Sequence, residues 1–258
     1  VAFGTYRSHA LYLAKGGDLK RMIAELYGKA TGIAKGKGGS MHLIDVAAGM
    51  MGTSAVVATG IPHAVGYAYA LKLQGKPQVV ACFFGDGAVD EGAWHESMNF
   101  AALKRLPVVF ICENNFYAIH SHQRDRQPVL GIAERARAYG MPAEVIEDDV
   151  FRVYAKVSQA VEAMRRGNGP YFFECSTYRW KEHVGPNDDY QHGYRSRDEA
   201  EPWFANDQVK RVGGLLPPEV RERIEGEVER EIADAFAFAE ASPFPEPEEL
   251  YRDLFAEV

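Results

Sequence analysis

Cysteine is scarce in this chain. The 258 residues contain three cysteines, Cys82, Cys112 and Cys175, and each lies in an apolar run. No Cys-x-x-Cys pair is present, so the sequence offers no support for a structural zinc site or a redox-active dithiol. We therefore expect buried free thiols in a reducing compartment, which is the cytoplasm, or the mitochondrial matrix in a eukaryote.

The common phosphate-binding motifs are absent as well. No Gly-x-x-x-x-Gly-Lys-Ser/Thr occurs, which excludes a P-loop, and the protein kinase signatures are missing. The pair Gly36-x-Gly38 continues to Met41 where a third glycine would be needed, and it follows no predicted strand. A nicotinamide-binding Rossmann motif is therefore only weakly supported.

The chain lacks an excess of positive charge and lacks long apolar runs. It has 29 Lys and Arg against 36 Asp and Glu, a formal net charge of −7, which gives no reason to expect nucleic acid or an anionic membrane as partner. No apolar run approaches the ~20 residues that a membrane-spanning helix needs. The length is sufficient for one large α/β core, and we predict a single domain over residues 1–258.

A strand–helix–strand unit can be located from the pattern of apolar residues. Two short apolar runs, 79–84 and 107–112, flank a helix-like segment over 92–104. Short apolar runs joined by a helical crossover are typical of parallel strands. The pattern predicts an α/β fold with a parallel sheet. Further helices are predicted over 18–27, 60–73 and 150–166, and a further strand over 171–176.

Polar residues follow both runs. Gly85-Asp86-Gly87 ends the first, and Asn114-Asn115 ends the second after a spacer of 26 residues, 88–113. The carboxyl ends of parallel strands meet at one sheet edge, where open α/β folds bind ligands. Carboxylate and amide oxygens suit Mg²⁺, glycine lets the backbone approach an anion, and a following helix start offers N–H groups to phosphate. Either motif alone is usually an ordinary turn; together they predict a Mg²⁺ site shared with a phosphorylated ligand.

The C-terminal part, residues 218–258, is predicted to form a helix and a proline-rich arm. Apolar residues recur at every fourth position, at Val220, Ile224, Val228, Ile232 and Phe236, which predicts an amphipathic helix with this stripe on the core. The arm over 242–247 cannot be helical. Its Phe244 either contacts a partner or packs back on the chain.

Four further motifs, at 5–9, 35–42, 178–180 and 194–197, accompany the segment 85–115. On these segments together, the chain resembles the α subunit of the thiamine diphosphate-dependent dehydrogenase component of 2-oxo acid dehydrogenase complexes, a family with pyruvate, branched-chain and acetoin enzymes. This resemblance implies a thiamine diphosphate-binding fold with helices on both faces of a parallel sheet. Since family members usually carry a helical segment before the first motif, we expect the natural N-terminal segment to be missing from this sequence.

The resemblance also implies roles for individual residues. Asp86 and Asn115 become side-chain ligands of Mg²⁺, with the main-chain oxygen of Tyr117 as a third ligand and the Tyr117 side chain left free. The residues implied to contact thiamine diphosphate are Tyr6, Arg7, Gly85, Gly87 and Ala88 at the diphosphate, and Ala55 and Val57 at the aminopyrimidine. Lys37, Ser40 and His42 lie in a family-like loop, 36–42, and receive no individual roles.

Two histidines receive catalytic roles from the resemblance. His183 corresponds to a histidine at the mouth of the cofactor site, where it also contacts the cofactor, and His9 to one on the substrate side. Pyruvate and branched-chain enzymes usually continue from the first histidine to a serine that regulatory kinases modify. Here Val184 follows, so no phosphorylation is expected at this point, and assignment to those two enzymes is not straightforward.

The implied reaction is oxidative decarboxylation with acyl transfer to lipoamide, and pyruvate or acetoin is the expected substrate class. A glutamate that activates the cofactor belongs to a separate pyrimidine-binding domain, for which 258 residues leave no room. A β subunit would supply it, in an assembly of two α and two β subunits that serves a lipoyl-bearing acyltransferase. Two alternatives stay open: transketolase-like ketol transfer, and a non-catalytic assembly subunit with the same fold.

Overall fold

A computed structural model of the chain describes residues 1–252 and 254. Its strands are β1 (Ala2–Thr5), β2 (Met50–Ser54), β3 (Val80–Gly85), β4 (Val108–Asn114), β5 (Tyr117–Ala118), β6 (Ser121–His122), β7 (Ala143–Ile146) and β8 (Tyr171–Ser176). Its α-helices are α1 (His9–Ala14), α2 (Leu19–Leu26), α3 (Gly60–Leu73), α4 (Gly92–Lys104), α5 (Ile132–Arg137), α6 (Val150–Arg165), α7 (Arg197–Ala205), α8 (Gln208–Gly213) and α9 (Pro218–Ala241). Short 3₁₀ helices span Asp86–Asp90, Gln123–Asp125, Tyr190–His192 and Pro247–Tyr251.

Backbone packing divides the chain into two compact units. The first comprises Val1–Thr5 and Val56–Leu215, and the second comprises Tyr6–Ala55 with the chain from Leu216 onward. That residues 1–258 form a single domain stays a prediction, and residues 253 and 255–258 of the predicted arm lie outside the described part. Among the described residues, no helix combines the length and the apolar character needed to cross a membrane.

The first unit is built on parallel strands. Five of them lie side by side in the order β1-β3-β4-β8-β7, and every neighbouring pair is parallel. The apolar runs explain the centre of this sheet, because Val80, Val108, Phe110 and Phe172 are fully buried there. Strands that are covered on both faces carry nearly continuous apolar sequence. The predicted α/β class with a parallel sheet is confirmed.

Helices cover both faces of the sheet, as successive side chains of β4 show. Val109 and Ile111 belong to a core cluster with Ala160 and Met164 of α6. Phe110 points to the opposite face, where its ring lies 6.5 Å from that of Phe172. Trp94 of α4 meets the ring of Phe172 edge-on at 6.2 Å. The alternation of side chains along a strand thus divides β4 between two cores, and the prediction of helices on both faces is confirmed.

Most predicted elements of this unit appear within one or two residues of their predicted bounds. Helices α3 and α4 have the predicted limits, and α6 ends one residue early. Strands β1 and β7 were not predicted, since each has only four residues. Two of the three cysteines are buried, the third is partly buried, and all are free thiols, which confirms the expectation of unpaired cysteines.

The second unit contains a long segment after α2 that a single carboxylate organises. Glu25 is fully buried. Its Oε2 accepts hydrogen bonds from the backbone N–H groups of Ala34 and Gly36 at 2.8 and 2.9 Å, and its Oε1 accepts from those of Gly38 and Gly39 at 2.7 and 3.1 Å. Four N–H donors satisfy the buried charge. The glycine-rich segment is therefore an ordered structure held from α2.

The apolar stripe of α9 does not face the core as predicted. Ile224, Val228, Ile232 and Phe236 keep 38–47% of their surface exposed. The buried residues of this helix are Ala235 and Ala239, because small side chains allow close approach at that point. The position of the predicted helix is correct, whereas the predicted burial of its stripe is wrong.

The proline-rich arm contacts the glycine-rich segment of the same unit. The backbone N–H of Ala30 donates to the carbonyl of Pro243 at 3.0 Å. The Lys29 ammonium donates to the carbonyl of Ser242 at 3.0 Å and lies 4.0 Å from the centre of the Phe244 ring. Phe244 itself remains 67% exposed. The arm thus packs back on the chain, while most of this ring stays accessible.

Candidate functional site

The register of β3 and β4 brings the two predicted motifs together. Gly85, the last residue of β3, lies opposite Glu113 of β4. Asp86 follows directly on one strand, and Asn114 and Asn115 follow on the other. The backbone of Asn115 is close enough to the Asp86 carboxylate to act on its pKa. The predicted juxtaposition of Asp86 and Asn115 at the carboxyl edge of the sheet is therefore present.

Asp86 is a buried carboxylate with spare coordinating capacity. Its side chain is 1% exposed, and Oδ2 accepts a hydrogen bond from the Arg126 guanidinium. Within the described part of the chain, Oδ1 is buried and has no hydrogen-bond partner. Burial raises the pKa of Asp86, and the Arg126 charge and the backbone N–H groups of Asp86 and Asn115 oppose that rise. A buried, unsatisfied carboxylate oxygen is costly unless a cation or a donor reaches it.

Asn115 and Tyr117 form a tight turn after β4. The Oδ1 atom of Asn115 accepts the backbone N–H of Tyr117 at 3.1 Å, which fixes the amide oxygen beside the strand end. The Tyr117 side chain was predicted to be free, and this is wrong. It is 6% exposed, and its hydroxyl lies 2.9 Å from both carboxylate oxygens of Glu199. Burial raises the pKa of this hydroxyl, and the Glu199 carboxylate raises it further.

The neighbouring Asn114 stabilises this turn through side-chain hydrogen bonds. It is 2% exposed. Its Nδ2 donates to Oε1 of Glu174 at 2.8 Å and to Oε1 of Gln123 at 3.2 Å, while its Oδ1 accepts the backbone N–H of Phe116 at 3.0 Å. Glu174 was not predicted. The available signal was an acid inside the apolar strand 171–176, since buried acids in strands usually hold a specific partner.

Of the two glycines of the first motif, Gly87 is needed for the packing of the turn. A Cβ at Gly87 would lie 2.9 Å from Cβ of Ala118, so the close approach here is to the 116–122 turn. Gly85 has φ −88°, an ordinary extended conformation. The segment Asp86–Asp90, which includes the buried Ala88, is a 3₁₀ helix, and α4 begins only at Gly92. The N–H groups nearest the motif therefore belong to the 3₁₀ turn, not to the predicted helix start.

The other predicted site residues are divided between the units. Val57 lies in the first unit, before α3, and is 49% exposed. His183 follows β8 in the same unit and is partly exposed. Tyr6, Arg7, His9 and Ala55 belong to the second unit. The roles of these six residues stay predictions.

Several loop residues of the second unit acquire contacts that the sequence did not reveal. The Nε2 atom of His9 lies 2.9 Å from the carbonyl of Ser40 and 3.1 Å from its hydroxyl. The Nδ1 atom of His42 lies 3.3 Å from the carbonyl of Thr53. The Lys37 ammonium lies 3.0 Å from a Glu249 carboxylate oxygen of the arm. His9 is thus coupled to the 36–42 loop through Ser40.

The segment after β8, which carries His183, is organised by a buried ion cluster. Asp189 is 1% exposed at its side chain and contacts Arg179 at 3.2 Å and Arg195 at 2.5 Å. The hydroxyl of Tyr194 also donates to it. Burial would raise the pKa of Asp189, but the hydrogen bonds from Tyr194 and Arg195 and the charges of both arginines hold it below its usual range. The Asp189 carboxylate therefore binds Arg179 near the start of this segment and Arg195 near its end.

The donor set fits a magnesium ion better than a transition metal. Among residues 1–252 and 254, no group of three or more His, Cys, Asp or Glu side chains could hold a metal. A carboxylate with an open oxygen and an amide at the end of the neighbouring strand make up a hard, oxygen-only donor set. Mg²⁺ commonly uses one or two carboxylates and completes its shell with phosphate and water. The residues present therefore fit a Mg²⁺ ion shared with a phosphorylated ligand.

Comparison with known proteins places the chain in a family. Residues 1–248 match the family model described as dehydrogenase E1 component. The chain is 38% identical to the α subunit of acetoin:2,6-dichlorophenolindophenol oxidoreductase from Bacillus subtilis, covering 97% of this chain and 76% of that one. It is 37% identical to the pyruvate dehydrogenase E1 component α subunit from Porphyra purpurea, covering 98% and 77%. The chain belongs to the dehydrogenase E1 component family.

Membership confirms the family and the oxidoreductase class predicted from the sequence. The relatives include both acetoin and pyruvate enzymes, and each of those named above is an α subunit. A third, the acetoin:2,6-dichlorophenolindophenol oxidoreductase α subunit from Cupriavidus necator, is 37% identical and covers 97% of this chain and 77% of its own length.

Proposed function

We propose that this chain is the α subunit of a thiamine diphosphate-dependent 2-oxo acid dehydrogenase that decarboxylates its substrate and passes the acyl group to lipoamide. The observation that carries the proposal is the buried Asp86 carboxylate, with one open oxygen, beside Asn115 at the carboxyl edge of a parallel sheet. Family membership and the α-subunit names of the relatives support it.

The metal and the diphosphate would be held by the turn segments. Asp86 and the side chain of Asn115 would bind Mg²⁺, together with the main-chain oxygen of Tyr117. Gly85, Gly87 and Ala88 would offer backbone atoms to the diphosphate. The positive charge of Mg²⁺ would offset the buried negative charge of Asp86. Val57, and in the second unit Tyr6, Arg7 and Ala55, keep the cofactor-binding roles that the resemblance implies.

Thiamine diphosphate, when bound, would supply a carbon nucleophile for the substrate carbonyl and an acceptor for the electron pair released on decarboxylation. The chain's own residues orient the substrate and move protons. His183 would donate or accept a proton near the reacting carbonyl, since imidazole titrates near neutral pH. His9 keeps the substrate-side role that the resemblance implies.

The active site is proposed to be shared between two kinds of subunit. The parallel-sheet unit of this chain supports the diphosphate half of the site, and a β subunit would supply the glutamate that activates the cofactor. We propose two α and two β subunits and a lipoyl-bearing acyltransferase as acceptor. Three free cysteines favour a reducing compartment, the cytoplasm or the mitochondrial matrix.

Pyruvate or acetoin is the proposed substrate class. Relatives with 37–38% identity are named for both. The exposed Val184 stands where kinase-regulated members carry serine, and this supports an enzyme without phosphorylation at that position. Transketolase-like ketol transfer remains the rival catalytic function, and a non-catalytic assembly subunit the rival non-catalytic one.

Activity of the separated and the reconstituted subunits tests this proposal. The chain alone should bind thiamine diphosphate and Mg²⁺ weakly and show no turnover, because it holds only half of the site. Addition of the β subunit should restore reduction of 2,6-dichlorophenolindophenol with pyruvate or acetoin in a panel that also contains branched-chain 2-oxo acids. Full activity of the chain alone would refute the shared site, ketol transfer between sugar phosphates would favour the transketolase alternative, and failure of the reconstituted complex to bind cofactor would favour the non-catalytic one.

A further inference from the structure

Arg126 holds one oxygen of the carboxylate that is predicted to bind the divalent ion. One of its terminal nitrogens donates to Oδ2 of Asp86 and the other donates to Oδ2 of Asp90. The Arg126 side chain is 15% exposed, against 1% for Asp86 and 32% for Asp90. The planar guanidinium thus spans two carboxylates, one buried and one partly open.

This arrangement supplies the positive charge that Asp86 needs when no ion is bound. An ionised carboxylate inside a protein requires a cation or several donors. A divalent ion on Asp86 would meet the guanidinium at close range, and like charges in a poorly solvated place repel strongly. Arg126 bonds Oδ2 and leaves Oδ1 open, but this repulsion makes the guanidinium and an ion on Oδ1 compete for the charge of one carboxylate.

The surrounding turn allows the guanidinium to leave without unfolding the segment. Gln123 accepts a hydrogen bond from Asn114 at 3.2 Å and donates to the Leu130 carbonyl at 2.9 Å. Gln127 donates to the Asp86 carbonyl at 3.2 Å and to Oδ1 of Asp90 at 2.9 Å. These glutamines hold the segment near the strand ends independently of the Arg126 side chain, and Asp90 offers that side chain a second carboxylate.

We propose that Arg126 is a tethered counter-ion of the Asp86 carboxylate, which a divalent ion must displace from Asp86 when it binds with thiamine diphosphate. The inference rests on the proposed function, since it concerns the same metal site. It assigns to Arg126 control over the apparent affinity for the ion. The apparent affinity equals the intrinsic affinity multiplied by the fraction of chains in which Asp86 is not paired with Arg126.

The variant Arg126→Gln removes the charge and keeps a polar side chain. With thiamine diphosphate present, Mn²⁺ binding to the full chain, followed by electron paramagnetic resonance, should be about tenfold tighter than in the wild type if the guanidinium occupies Asp86 in about nine chains out of ten. Arg124→Gln is the matched control. Arg124 is 69% exposed and lies 3.9 Å from Asp125, so the same change in net charge there should alter Mn²⁺ affinity less than about twofold.

Weaker or unchanged Mn²⁺ binding by Arg126→Gln relative to Arg124→Gln would overturn the inference, and weaker binding would assign Arg126 to the ligand itself. If the wild-type chain, alone and with its β subunit, binds no Mn²⁺ with thiamine diphosphate, the proposed function fails as well. A second measurement uses the wild type, so it does not depend on folding of the variant. The ¹⁵N resonance of the Arg126 side chain should shift when Mg²⁺ and thiamine diphosphate are added, and an unchanged resonance in the loaded protein would contradict displacement.

Discussion

Replacing Asp86 with alanine is expected to weaken the binding of Mg²⁺ and thiamine diphosphate to the α–β complex by about 100-fold or more. Loss of a group that merely orients a metal ligand already costs about 10–100-fold in metal affinity, and Asp86 is proposed as the only charged ligand from this chain. A 100-fold loss corresponds to about 2.7 kcal/mol of binding free energy. Isothermal titration calorimetry on the complex measures the change directly.

The fold should tolerate this substitution, because Arg126 keeps its contact with Asp90. The matched control is Asp125→Ala, which removes a carboxylate from the adjacent turn whose side chain is 68% exposed. We expect that control to bind the cofactor as the wild type does. Equal affinities of the Asp86 variant and the wild type would remove Asp86 from the site.

Replacing Asp189 with asparagine is expected to lower the free energy of unfolding by about 3–5 kcal/mol, because removal of one partner leaves a buried charge uncompensated. In this case two guanidinium groups, those of Arg179 and Arg195, lose the carboxylate between them, and their side chains are 7% and 0% exposed. Denaturation with urea, followed by circular dichroism, provides the measurement.

The adjacent Asp188 offers a matched control. Its side chain is 50% exposed and pairs with Lys181 at 2.9 Å, so Asp188→Asn should cost no more than about 1 kcal/mol. Similar losses of unfolding free energy in the two variants would show that burial does not strengthen the contacts of Asp189.

The stability contribution of Asp189 depends on pH, because the pKa of Asp189 is lowered in the folded chain. This contribution is fully present above the unfolded-state pKa of about 3.9 and is lost as the pH falls through the lower folded-state pKa.

The sequence was sufficient to predict the centre of the first unit. Runs such as 107–112 are apolar at every position, as expected for strands with both faces covered, and a helical crossover between two of them leaves little choice but a parallel pair. Because parallel strands end at the same edge, Asp86 and Asn115 were also predicted to lie at one edge of the sheet. The short strands β1 and β7 escaped prediction because four residues carry too little periodicity to distinguish a strand from a loop.

Side-chain partners that are distant in sequence could not be predicted. Nothing in the order of residues indicates that Arg126 reaches Asp86, forty positions earlier, or that Glu174 holds Asn114, sixty positions earlier.

For the apolar stripe of α9, the sequence pattern predicted more burial than the structure has. Its four-residue spacing predicts an amphipathic helix, yet spacing alone does not say what covers the apolar face, and Ile224 and Val228 remain 40% and 47% exposed.

The location of a divalent ion in the cofactor-bound complex tests the central claim most directly. Crystals of the α–β complex grown with thiamine diphosphate and Mn²⁺ in place of Mg²⁺ would give an anomalous signal from the ion. We expect one peak about 2.0–2.3 Å from a carboxylate oxygen of Asp86 and from the amide oxygen of Asn115. Bound thiamine diphosphate with its ion held by other residues, and with Asp86 still paired to Arg126, would contradict the claim.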